Sequence, residues 1–352
     1  LQPPKIKFTY KTVLLPLLGL AGFFLYIYLF KVDIIGIINT AKTANPLIYS
    51  VAILFGFVEI FFFTLSWHAL TSHINIKLSI QRAFLYVWYG IYVDTIIPAE
   101  SISGEVTKAY LVARDKCSSF GQAMASLFMH RLLGMAINVV ILVAGIALLT
   151  VDGEVNPLIF NTIIFVTTGI TAVTIALTVL AFRKSWMLKV IDWCTKIITK
   201  ITRGKWCLDK FRDSAIDVTG HFHDSMTEYR HNLKPVIESF LFLAVTWFFS
   251  LAIPYLVFES LGRTVPWGVI LITAAIVLAV KAIPAGIPFE VGIPEATMTT
   301  LYIAMGVNGA LAATATILTR IITLWFRFFA GFVAQQYLEL KPAIVSIENR
   351  KN

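Results

Sequence analysis

Charge is scarce in this sequence. Only 14% of its 352 residues are Asp, Glu, Lys or Arg, while 58% are hydrophobic. A soluble core of this length cannot hide that much apolar surface, so the balance argues against soluble domains and suits a chain that crosses a bilayer repeatedly. Cysteine is scarcer still. Cys117, Cys194 and Cys207 have no CxxC spacing, which excludes a disulfide framework and reads as reduced structural thiols. Acidic residues are outnumbered, 20 against 29 Lys and Arg, for a net charge of +9. That excess requires no nucleic acid, because cytoplasmic loops of membrane proteins are rich in Lys and Arg. Catalytic signatures are missing too: the chain has no Walker loop, GxSxG, HExxH, GxGxxG or DxD pair. His221, His223 and His231 fit no strong zinc spacing, so no metal and no cofactor is expected. The first apolar run has no small-residue cleavage site, so no cleavable signal peptide is expected.

What the chain does contain is a series of apolar runs. Six read as full crossings: 12–30, 47–67, 119–149, 157–182, 235–258 and 309–338. Trp67 and His68 close the second as an interfacial anchor, and 33–46 reads as a short loop before it. The aromatic residues, many of them Phe, are lipid-facing or core filler before they are a recognition surface.

Two further stretches are apolar but broken. Residues 283–320 hold Pro284, Pro288 and Pro294, with Gly286 and Gly292, and the charges Lys281, Glu290, Glu295 and Arg320 lie in or beside them. Residues 97–131 are a cousin. Both begin Ile-Pro-Ala, at Ile97 and Ile283. Both continue through Gly, Glu opening a short helix (Glu105, Glu295) and a longer apolar helix containing Arg (Arg131, Arg320). Pro98, Glu100 and Gly104 belong to the first break. Backbone broken in this way survives at membrane depth only where protein or a wet cavity meets its polar groups. Paired interrupted segments in two halves of a chain point to a transporter-type site. Each arm of the first pair is about 20–24 Å long at 1.5 Å per residue, short of a hydrocarbon core of about 30 Å, so each pair reads as a re-entrant hairpin. Two short tilted spans would keep the same topology.

Basic residues set the orientation. The run from Arg183 to Lys234 carries eleven Lys and Arg, the strongest positive-inside signal in the chain. It reads as two amphipathic helices. One, over 186–203, suits the membrane surface, and a second carries a Leu208–Tyr229 stripe that packs on the bundle or on a partner. Both termini are then cytoplasmic. The first hairpin opens inward and the second outward.

The expected fold is an all-α polytopic membrane protein: about six full transmembrane helices plus two oppositely oriented re-entrant hairpins in an inverted repeat. The whole of 1–352 is one integral membrane domain. Its half-repeats are about 47–150 and 235–338, with the cytoplasmic amphipathic segment 183–234 between them.

Arg131, Arg320 and Arg327 lie inside apolar helices, where a cation must be paired or must meet an anion. Guanidinium suits phosphate because it binds two oxygens at once. Arg320 and Arg327 are seven apart and share a face of a regular helix. With Lys108 and Lys281 they form a candidate headgroup site. Glu105, Glu295, Glu290 and Glu100 are candidate gating or ion-pair residues, and a purely structural pairing of Glu105 with Arg131 and Glu295 with Arg320 has about equal weight. Ser101 or Ser103 is placed to cap the helix that starts near Glu105. Glu59 and Asp94 read as hydrogen-bonding residues before proton carriers, and His130 as a hydrogen-bonded core residue.

At these stretches the sequence resembles the flippase-like membrane family related to the N-terminal transmembrane domain of lysylphosphatidylglycerol synthetase MprF. The matching residues are Pro98, Gly104, Glu105, Lys108, Leu111, Arg114 and Arg131 in the first half. In the second they are Pro284, Gly286, Gly292, Glu295, Gly306, Val307, Arg320 and Thr323. Lys108 stands where Arg is more usual, and Phe289-Glu290 departs from a Gly-rich run. The resemblance implies movement of anionic or modified lipids between leaflets of a cell membrane. The soluble aminoacyl-transferase part is unmatched, so lipid lysylation by this stretch alone is not expected. Two other readings stay open: a membrane enzyme acting on a lipid-linked phosphate or sugar, and a protein presenting lipid to a separate transferase. Expected partners are membrane lipids with an anionic headgroup, with a separate transferase or a second copy of the chain left open.

Overall fold

A computed structural model of the chain describes residues 34–97, 102–152, 157–201, 209–281 and 292–351. Every regular element among them is helical. In order these are α1 (Ile34–Lys42), α2 (Pro46–His73), α3 (Ile80–Ile96), α4 (Ile102–Arg114), α5 (Phe120–Asp152), α6 (Pro157–Phe182) and α7 (Lys184–Ile201). Then follow α8 (Asp209–His231), α9 (Lys234–Ser260), α10 (Trp267–Lys281), α11 (Ile293–Ala304), α12 (Gly309–Arg320) and α13 (Arg327–Lys351). A π-helical segment, Ile321–Phe326, joins the last two.

Five helices are long and apolar enough to cross a membrane: Pro46–His73, Phe120–Leu148, Ile163–Phe182, Lys234–Ser260 and Gly309–Glu339. They coincide with five of the six crossings read from the sequence. The sixth, 12–30, lies outside the described residues. The supposed loop 33–46 is instead mostly α1, which packs against α12. Asn45 then caps α2, its side chain accepting the Leu47 N–H at 3.0 Å.

Helices α2 and α9 form the spine. Asn45 donates its backbone N–H to the Ser260 carbonyl at 2.7 Å, and Ser66 donates to the Ser239 carbonyl at 2.9 Å. Low numbers on one helix meet high numbers on the other, so the two run antiparallel. Trp67 does not sit at an interface. It is fully buried, with its Nε1–H on Ser126 Oγ of α5 at 3.0 Å. The helix runs on to His73, which moves Trp67 into the core.

Short helices flank the spine. At 17 and 13 residues, α3 and α4 are about 26 and 20 Å long. They form an antiparallel hairpin: Tyr86 bonds Asp115, Gly90 lies against Gly104 and Lys108, and Asp94 bonds Ser103 and Gly104. Its open ends meet, because the Lys77 N–H donates to the Cys117 carbonyl at 3.3 Å. Helices α10 and α11, of 15 and 12 residues, are the second short pair and pack on each other. Tyr302, near the end of α11, sets its ring edge-on to Phe258 near the end of α9, with centroids 5.0 Å apart. The first hairpin therefore has its open end by His73 of α2, and α11 ends beside the last turn of α9.

The first short pair also reaches across the molecule. Tyr89 of α3 and Arg114 of α4 both bond Glu339 of α13, at 3.3 and 3.4 Å. Tyr92 sets its ring at a tilt against Phe328 and Phe332 of α13, with centroids 5.3 and 5.7 Å apart. Helix α8 packs on α5, burying Phe222, Met226 and Tyr229, and the Tyr229 hydroxyl donates to the Leu70 carbonyl at 3.0 Å. Over its described part, the stripe on α8 covers the bundle.

Closeness at the first hairpin depends on glycine. A Cβ on Gly104 would meet the Asp94 carboxylate and would come within 2.6 Å of the Gly90 carbonyl. Gly104→Ala should therefore separate α3 from α4 and lower the Tm of the purified protein, while Gly134→Ala, where a Cβ meets nothing within 4 Å, should leave it unchanged. Equal melting of both variants would refute the tight-packing account.

Candidate functional site

The site residues are best taken from the two short helices that carry an acid in their first turn. Helix α4 begins in the cup of a carboxylate from across the hairpin. Asp94 Oδ1 accepts the Gly104 N–H at 2.6 Å and the Ser103 hydroxyl at 2.6 Å. The expected serine cap is thus reversed: Ser103 donates, and Asp94 does the capping, satisfying an N–H that the helix itself leaves unpaired. Ser101 lies outside the described residues. One residue further on, Glu105 meets Arg131 of α5 at 3.4 Å.

Helix α11 begins differently but ends in the same pairing. Gly292 has φ of +101°, a backbone region that side-chain-bearing residues avoid. Pro294 sits in the first turn, where its missing N–H costs nothing. Glu295 reaches back with Oε2 to the Gly292 N–H at 2.7 Å and holds Arg320 Nε with Oε1 at 2.5 Å. Antiparallel to α11, α12 carries Thr316 against Thr299 at 3.2 Å. Here one acid both caps the helix and pairs with the guanidinium. In the first half Asp94 and Glu105 divide those tasks.

Both pairs join a short helix to the helix that follows it, across 26 and 25 positions. They differ in closure. The Glu295–Arg320 side chains are 4% and 8% exposed, the Glu105–Arg131 side chains 17% and 31%. The first-half pair is longer and more open.

A third pair was not expected. Arg327 bonds Glu59 in the middle of α2. Seven residues separate Arg320 from Arg327, but the π segment lies between them. Its i→i+5 bonding widens the turn, so the two guanidinium groups do not share a face and reach carboxylates on different helices. Arg327 Nε remains buried without a hydrogen-bond partner.

Lys108 is buried, its Nζ 5.6 Å from the Phe63 ring centre and 5.5 Å from that of Trp67. Aromatic faces attract a desolvated ammonium. His130 sets its ring edge-on to the same Phe63, 4.6 Å between centres. It is a core residue as expected, but its Nε2 has no hydrogen-bond partner. Glu59, Phe63 and Trp67 recur every four residues on one face of α2, so this face gathers Arg327, Lys108 and His130. Arg131 stands next to His130. Arg320 with Glu295 forms a separate centre on the far side of the π segment, and Lys281 closes the last turn of α10. Pro98, Glu100, Pro284, Gly286, Pro288 and Glu290 lie outside the described residues. Among the described residues no three His, Cys, Asp or Glu side chains gather as a metal site.

Sequence reasoning missed the acid that meets Arg327 and the aromatic seat of Lys108. The signal was present: an acid and two aromatics at four-residue spacing in an apolar helix mark one face that another element has to cover.

A helical bundle with buried cation–carboxylate pairs at the starts of interrupted short helices is a polytopic α-helical membrane protein. Residues 13–331 match the lysylphosphatidylglycerol synthase TM region, and the chain belongs to that family. It is similar to UPF0104 membrane proteins of three archaea. The protein of Pyrococcus horikoshii is 23% identical over 80% of this chain and 84% of its own length. That of Methanocaldococcus jannaschii is 23% identical over 94% and 95%. That of Methanothermobacter thermautotrophicus is 20% identical over 85% and 88%.

Removing one partner of a buried pair strands the other charge, at a cost of about 3–5 kcal/mol. Arg320→Ala should therefore lower the Tm strongly, and the double variant Arg320→Met with Glu295→Gln should recover most of the loss. Glu105→Gln, at the more open pair, should cost no more than about 1 kcal/mol. A double variant as unstable as the single one would show that Glu295 and Arg320 are not energetically coupled.

Proposed function

We propose that this protein moves an anionic or modified phospholipid, or a polyprenyl-phosphate lipid, between the leaflets of the cell membrane. The observation that carries the reading is the repeated Glu–Arg pair, one on each short helix, the second buried and the first half-buried in an otherwise apolar bundle. Charges in such a setting are costly and mark a pathway. Membership of a family named for the membrane region of a lipid-modifying synthase agrees with a lipid as the molecule handled.

In this reading the two short pairs are re-entrant hairpins of an inverted repeat. The meeting of Lys77 with Cys117 at one end of the α2–α9 spine, and of Tyr302 with Phe258 at the other, supports opposite openings. The basic run 183–234 favours both termini on the cytoplasmic side.

The headgroup phosphate first meets Arg131. Its pair with Glu105 is the weaker of the two at the hairpins, and an incoming phosphate offers the guanidinium two oxygens in exchange. Lys108 stands one helical turn beyond Glu105. Arg327 keeps one buried N–H free for an acceptor. Arg320 and Lys281 form the far station. Glu105 and Glu295 close on their arginines when no lipid is bound, and Glu100 and Glu290 serve the same breaks. Acyl tails remain in the bilayer throughout.

The test is crossing of a fluorescent anionic phospholipid in proteoliposomes. Loss of one charge-assisted contact, about 1.5–3 kcal/mol, should slow crossing by roughly 10–100-fold in Arg131→Gln/Glu105→Gln, a variant that removes both charges of the pair. Crossing at the wild-type rate in a monodisperse variant would reject the site. A covalently changed lipid, seen by mass spectrometry, would instead favour the enzyme reading. A separate transferase that co-purifies, with no crossing by the protein alone, would favour lipid presentation.

A further inference from the structure

Helix α7 enters the reading above only through the charge of its basic run. It starts directly after the crossing α6: Arg183 joins the two, and the Trp186 N–H bonds the Arg183 carbonyl at 2.9 Å. Its first turn is therefore at the end of a membrane span. It is also at the same end of the bundle as His73, because α8, which follows it, is tied by Tyr229 to Leu70.

The faces of α7 are sharply divided. Met187 packs against the core. Two tryptophans seven residues apart face outward, Trp186 47% exposed and Trp193 64% exposed. Lys184 and Lys189 are exposed on the same helix, and the sequence repeats lysine at 196 and 200, so α7 has four lysines against the single acid Asp192. At 100° per residue Lys189 borders the tryptophan edge. Arg183 lays its guanidinium over the Trp186 ring at 5.3 Å.

A pair of exposed tryptophans bordered by a lysine is ill suited to open water, where the rings gain nothing. At the level of lipid headgroups each part has a partner. The indoles lie among the glycerol and upper acyl groups, and the ammonium groups meet phosphates. A protein partner would have to match both kinds of group. A leaflet of acidic lipid does so without further shape.

We infer that α7 is an interfacial helix that binds anionic lipid headgroups along its Trp186–Trp193 edge, at the membrane surface where the first hairpin opens. The inference does not depend on transport.

It is tested in the full chain carrying Cys194→Ser and Cys207→Ser, with buried Cys117 retained. A single cysteine is introduced as Trp193→Cys, Ser185→Cys or Asp192→Cys and labelled with a small fluorophore. The protein is placed in nanodiscs of phosphatidylglycerol or of phosphatidylcholine. In phosphatidylglycerol, lipids brominated near the headgroup should quench the label at 193 and aqueous iodide should not, while labels at 185 and 192 show the reverse. Replacing Lys189 with Gln, raising the salt, or changing to phosphatidylcholine should each weaken bromine quenching at 193. Iodide quenching at 193 equal to that at 185 in both lipids would overturn the inference, because the edge would face water. Protection from both quenchers would overturn it as well, because a second copy or another protein would cover the edge. Bromine quenching indifferent to lipid charge would overturn the preference for anions.

Discussion

A guanidinium group in an apolar helix determines what surrounds it. Neither lipid nor a hydrocarbon-like core can solvate it, and a carboxylate at hydrogen-bonding distance is the least costly neighbour. Arg131, Arg320 and Arg327 each meet this demand through a different element: α4, α11 and α2. The three contacts fasten both short helices and the last long helix to the bundle. They also explain why two of the acids sit in the first turn of a helix, where the free N–H groups favour a negative charge.

The same acids solve a second problem. A helix that begins inside a membrane protein exposes N–H groups that nothing in hydrocarbon satisfies. Asp94 takes this task for α4, and Glu295 takes it for α11 while also holding Arg320. Because one carboxylate serves two roles in the second half, that centre is compact and closed. The first half divides the roles, and its Glu105–Arg131 pair is left more accessible. The two Glu–Arg pairs are thus closed to different degrees.

Much of this was legible in the sequence. Five crossings follow from apolar runs, and the pairing of Glu105 with Arg131 and of Glu295 with Arg320 follows from the order Gly, Glu, short helix, Arg in both halves. Other features have no signature in a linear pattern. A π segment depends on helix packing, so the common face expected for Arg320 and Arg327 was lost. Trp67 looked like an anchor because the apolar run ends near it, yet α2 continues for six more residues and buries it. Asp94 caps a helix ten positions ahead, a contact that the fold of the hairpin creates. Helix α1 was hidden by its length, too short to stand out from a loop.

The central claim is that the ends of the two short-helix pairs open toward opposite faces of the membrane. Cysteines placed at Lys77 and Lys116, and at Arg263 and Val307, report it through labelling by an impermeant thiol reagent in sealed vesicles of known orientation. The account predicts that 77 and 116 react from one side and 263 and 307 from the other. Reaction of 77 and 116 from opposite sides, or of all four from the same side, would contradict it.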